Sequence, residues 1–124
     1  MITTEYVYRG YVVSVYDGDT IRCHFDLGFG IKQNGLEGKG VALRLYGIDT
    51  PEMRGEELEQ GRISRDYVRS KILEKNVIIQ SIKDRTGKYG RYLAKIYYIN
   101  EETGEQIYLN QELIDLGYAK EYLP

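Results

Sequence analysis

The sequence predicts a mainly β chain with helices: a barrel of five strands, one helix between the third and fourth strands, and a short helix near the carboxy terminus. Three observations support this class. Runs rich in valine, isoleucine and tyrosine recur with glycine, aspartate or asparagine between them, as strands and turns do. Only the stretch between Leu58 and Asn76 carries a sustained helical period. A length of 124 residues, with 42% hydrophobic and 29% charged, suits one closed core, so residues 1–124 are expected to form a single domain.

Tyr6 to Tyr16 reads as a strand that bends at Gly10. Asp17-Gly-Asp-Thr20 is a turn, and Thr20 to Leu27 is the next strand. There Ile21, Cys23 and Phe25 alternate with polar residues, which makes Cys23 a core residue and places His24 on the solvated face. A lone histidine excludes a histidine-based zinc site, and a lone cysteine excludes an internal disulfide. Gly28 to Gly40 holds five glycines and matches no phosphate-binding loop, so a mobile loop or a hairpin extension is expected. Val41 to Tyr46 is a strand interrupted by one charge, Arg44. Gly47 and Pro51 then impose a stiff turn on Asp49 to Glu52, with Thr50 driven to extended geometry by the proline that follows.

Leu58, Ile63, Tyr67 with Val68, and Ile72 with Leu73 predict the helix, closed at Asn76. Glu56, Glu57 and Glu59 suit its start, and Arg69, Lys71 and Lys75 its end. Val77 to Ile82 and Arg91 to Ile99 are the last two strands, joined by the turn from Asp84 to Gly90. Asn110 is expected to cap a helix from Gln111 to Leu116 that Gly117 ends. Five strands with this helix placement follow the order of an OB-fold barrel.

Charge is unevenly spread. The chain carries a net −2, yet Arg62 to Lys95 holds ten Lys and Arg against three Asp and Glu. That basic middle is compatible with a salt-sensitive affinity for nucleic acid, although the whole chain does not have a strongly basic composition. No apolar run approaches a membrane span and the amino terminus as given has no signal-peptide pattern, so no membrane association is expected, and the location expected is cytoplasmic, or secreted if a signal peptide was removed.

Two acidic turns, 17–20 and 49–52, and a third turn, Arg85-Thr-Gly-Lys-Tyr-Gly-Arg91, supply acids for a hard cation, an acid for a proton and two arginines for a phosphate. Asp17-Gly-Asp-Thr20, Arg44-Leu-Tyr-Gly-Ile-Asp-Thr-Pro-Glu52 and Lys88-Tyr-Gly-Arg91-Tyr-Leu-Ala94, in that order, resemble the signature of the staphylococcal nuclease (thermonuclease) family. The likeness runs from about Tyr6 to Lys120. It implies the OB-fold barrel, Ca2+ held by Asp19, Asp49 and the Thr50 carbonyl, and catalysis by Arg44, Glu52 and Arg91. Lys88 and Tyr89 would bind a neighbouring phosphate. Glu52 would take a proton from the attacking water or orient it.

The implied partners are single-stranded DNA, RNA and duplex DNA, cut to 3'-phosphate and 5'-hydroxyl products by a monomer. Relative to the family, the connection before Arg44 is lengthened, the loop after Glu52 is shortened, and Gly87 stands where an acid is frequent. The rival reading is a non-catalytic OB-fold module that binds single-stranded nucleic acid or a protein partner; it has no use for a carboxylate cluster that repels phosphate. A calcium-binding structural domain would leave both arginines unexplained.

Overall fold

The computed structural model describes residues 6–82 and 92–122. β1 (Tyr6–Asp17) and β2 (Thr20–Asp26) form an antiparallel hairpin whose register sets Asp17 opposite Thr20. β3 (Lys32–Gln33) folds back on β2, so the glycine-rich stretch is the hairpin extension, one of the two forms expected. β4 (Val41–Leu45) pairs antiparallel with β2, and β5 (Ile48–Asp49) follows at once. After α1 (Leu58–Ile72) come β6 (Asn76–Ile82) and β7 (Tyr92–Ile99), paired antiparallel with each other. β6 also pairs with β1, and β7 runs parallel to β4. These pairings close a five-stranded mixed barrel in the order β1, β2, β4, β7, β6, with the helix between its third and fourth strands: an OB-fold. No helix among the described residues is long and apolar enough to cross a membrane.

Period-two alternation fills the interior. Val12, Ile21, Cys23, Leu43, Ile79 and Ile96 are all buried. Gly10 lets β1 bend into this core, since a Cβ there would run into the Ile79 side chain and stand 3.2 Å from the His24 carbonyl.

Several elements depart from the expectation. α1 stops at Ile72; Leu73 is extended, Glu74 has φ 58, and Asn76 opens β6 instead of closing the helix. Its buried stripe is Gly61, Ser64, Val68 and Ile72, whereas Ile63 is 42% exposed. Small residues lead the stripe because the front of the helix lies directly on loop backbone, which apolar periodicity does not report. β8 (Gln106–Tyr108) adds to β7, and α2 (Leu109–Asp115) begins two residues earlier than expected. Asn110 is therefore inside the helix and caps nothing. Its buried amide accepts from Ile96 N–H at 3.1 Å and donates to the carbonyls of Tyr46 at 2.9 Å and Ala94 at 3.1 Å. One side chain with both donor and acceptor thus satisfies backbone groups where β4 leaves β7. β9 (Lys120–Glu121), unforeseen, pairs with β5 and sets Lys120 opposite Asp49.

Candidate functional site

Both acidic turns and α1 converge on positions that lack side chains. A Cβ at Gly18 would lie 2.7 Å from Thr50 Cγ2 and 3.1 Å from Ser64 Cβ. One at Gly61 would lie 2.5 Å from the Glu52 carbonyl oxygen and 3.0 Å from that of Pro51. Glycine is thus the residue that lets turn 17–20 meet turn 49–52 and lets the helix press on both.

Asp19 is anchored on three sides. Its carbonyl accepts from Leu45 N–H at 2.8 Å, its Oδ2 accepts from Thr50 N–H at 3.3 Å, and the same oxygen stands 3.6 Å from Arg44 Nη2. Arg44 rises from β4 opposite Thr20. Its Nη2 donates to the Ile48 carbonyl at 3.1 Å and lies 3.6 Å from Asp49 Oδ1. The guanidinium therefore bridges the two carboxylates that belong to different turns, and the Tyr122 ring lies over it at 5.4 Å. Tyr122 N–H donates to the Gly47 carbonyl at 2.8 Å, which fixes that ring through the pairing of β9 with β5. Glu52 is exposed at the rim, its N–H donating to Glu57 Oε2 at 3.2 Å. Together Asp17, Asp19, Arg44, Asp49 and Glu52 line a cleft of about 490 Å3, with Tyr16 and Thr20 at its edge.

Among the described residues four carboxylates face one guanidinium, which leaves this part of the cleft short of positive charge. Asp17 registers the deficit. Its carboxyl is pushed up to about 7, first by burial and then by the side chain and charge of Asp19, while the Asp19 N–H, which donates to Asp17 Oδ1 at 3.1 Å, pulls the other way. Among the described residues no three acids, histidines or cysteines gather closely enough to cage a metal by themselves. The donors present are nonetheless all oxygen, and Thr50 Oγ1 is buried with no hydrogen-bond partner among the described residues. Asp19, Asp49 and the Thr50 carbonyl fit a hard divalent cation that keeps water in its remaining positions.

Asp19, Arg44, Asp49, Thr50 and Glu52 are thus brought together as the sequence predicts. Arg91, Lys88 and Tyr89 lie outside the described residues. β7 resumes at Tyr92 in register with Leu43, which puts Leu93 beside Arg44. His24 is not merely solvated: its Nε2 lies 2.8 Å from the Gly38 carbonyl and ties the hairpin extension to β2. Gly61 and Ser64 escaped the sequence reading, which took Gly18 only as part of a turn between two aspartates.

The model of the staphylococcal nuclease homologue family matches residues 42–123. An uncharacterized protein of Methanocaldococcus jannaschii is 31% identical over 143 aligned residues, an alignment that covers 98% of this chain and 63% of that protein. The chain therefore spans about 63% of the length of that relative. A family model that covers most of the chain, on a barrel whose acidic turns and arginine meet in one cleft, leaves one assignment: the chain belongs to the staphylococcal nuclease homologue family.

Proposed function

We propose that this chain is a calcium-dependent phosphodiesterase that hydrolyses DNA and RNA to 3'-phosphate and 5'-hydroxyl products. Family membership supports a function of nuclease or nucleic-acid-binding type. The observation that carries the finer reading is Arg44 held between Asp19 and Asp49 in the cleft that Glu52 borders. Among the described residues four carboxylates stand around the Arg44 guanidinium, an arrangement from which a mere reader of nucleic acid gains nothing.

Asp19, Asp49 and the Thr50 carbonyl would hold the cation, which supplies charge neutralisation at the phosphoryl oxygens and a polarised water. Arg44 keeps further N–H groups beyond the one given to Ile48, and these donate to a phosphoryl oxygen as negative charge grows on it. Glu52 accepts the proton of the attacking water or orients that water; either role needs a carboxylate at the rim. Arg91 is the second phosphate clamp in this proposal, with Lys88 and Tyr89 on the adjoining phosphate.

The test is cleavage of labelled single-stranded DNA with calcium, magnesium or EDTA, with Glu52→Gln alongside. Calcium-dependent cleavage that falls by about 100-fold or more in the variant is the expected outcome. Binding without cleavage under every metal would make the chain a non-catalytic module.

A further inference from the structure

A second concavity, about 700 Å3, lies at the opposite end of the barrel. Its walls come from residues 9–11 of β1, 24–26 of β2, 76–78 of β6 and 97–99 of β7, with Lys32 and Asn34 from the hairpin extension. β1 runs from Arg9 here to Asp17 at the cleft, eight residues on, or about 26 Å of strand. Because Val12, Cys23, Phe25 and Ile96 point into the core, Arg9, Tyr11, His24 and Tyr97 alternate outward.

Its chemistry is distinctive. Asp26 is the strand-register partner of both Arg9 and Lys32, but its Oδ1 accepts from Gly28 N–H at 2.9 Å. Among the described residues neither cation enters an ion pair, so the trio leaves one net positive charge. Tyr97 is stiffened by stacking on Tyr108, centroids 4.9 Å apart and planes 21° apart, and Tyr11 is 38% exposed. Asn34 and Asn76 add amides able to donate and accept. Unpaired cations, ordered aromatic rings and amides within one groove are the groups that hold a phosphate, stack a base and bond its edge.

We propose that this groove is a second nucleic-acid contact, which seats one nucleotide of a single strand, its phosphate on Arg9 and Lys32 and its base against Tyr11 or Tyr97. The inference rests on the nucleic-acid reading of the chain but not on cleavage. Asp26 acts in it as a brake, since its carboxylate faces the same anion the cations attract.

Anisotropy of a fluorescent oligothymidylate of about 12 nucleotides, in EDTA, tests it directly. Arg9→Ser with Lys32→Ser is expected to weaken binding by about tenfold and to flatten the salt slope by about 1.4, for two lost phosphate contacts. Tyr97→Leu is expected to weaken binding by at least about fivefold. Asp26→Asn, whose amide oxygen still serves Gly28, is expected to tighten binding several-fold, an outcome that misfolding does not produce. Unchanged affinity in all three overturns the proposal, as does displacement of the oligonucleotide by polyglutamate as effectively as by unlabelled strand. In cleavage assays the double variant should raise KM on long strands, leave kcat unchanged and leave dinucleotide substrates untouched. Cleavage with normal affinity in the groove variants sinks the groove alone; groove binding with no cleavage sinks the nuclease reading alone.

Discussion

Gly61 shows how a residue without a side chain positions one to which the proposed function gives chemistry. A methyl group there would meet the Glu52 carbonyl at 2.5 Å, so Gly61→Ala must displace either α1 or the turn that aims the carboxylate. We expect kcat to fall by about 100-fold, since a shift of about 1 Å in a positioned group is worth that much, and KM to change little. Steady-state cleavage rates together with an unchanged circular dichroism spectrum check it. Cys23 is the opposite case, a reactive group silenced by its surroundings. Burial pushes its thiol up to about 12, so alkylation at neutral pH should be absent in the folded chain and prompt in denaturant. Arg44 was legible as a charge that interrupts an apolar strand, whereas Asp19, Asp49 and Glu52, each a plain turn residue alone, were picked out by the order of motifs that resembles the family. Gly18 and Gly61 were not: glycine announces that something comes close without naming what does. The contact of Tyr122 with Arg44 was not legible either, because it depends on a strand of two residues.

Strands of five or more residues and the long helix could be read from periodicity, and the barrel order followed from them. What periodicity could not give was polar joinery. Asn110 looked like a cap because asparagine before an apolar run usually is one, yet it serves three backbone groups across β4, β7 and α2. Asn110→Ala takes this partner from Ile96 N–H and the Tyr46 carbonyl, while the Ala94 carbonyl keeps the Tyr46 N–H at 2.8 Å, and should lower stability by about 2–4 kcal/mol, more than the loss of a cap, by urea unfolding. Asn110→Asp keeps the acceptor for Ile96 N–H but sets a carboxylate against the Tyr46 and Ala94 carbonyls, and should be no better. The helix stripe was misread for a related reason. Ser64 is buried because its hydroxyl donates to the Tyr118 carbonyl at 2.7 Å, a contact 54 positions away in sequence that no local pattern encodes.

Across the whole molecule, three of the thirteen tyrosines bear on stability at alkaline pH. Burial, then the nearby Glu112 carboxylate, pushes Tyr67 up to about 12. Burial, then Tyr97 and Tyr46, does the same to Tyr108. Burial also raises Tyr98, whose hydroxyl donates to both Glu112 oxygens at 2.7 and 2.9 Å. Between the ordinary value of 10.0 and about 12 the folded chain holds protons the unfolded chain has released, so stability must fall as pH rises through that window. Tyrosinate absorbance and far-ultraviolet ellipticity should change together there, and Tyr108→Phe should move the transition upward. The pairing of β9 with β5 has a consequence in time. A chain emerging from the ribosome exposes Asp19, Asp49 and Glu52 early, but Lys120 and Tyr122, which pin the second acidic turn and cover Arg44, come about seventy residues later. Under the proposed function, the cleft is therefore incomplete until Lys120 and Tyr122 have emerged, which keeps a nascent chain from cutting the message beside it.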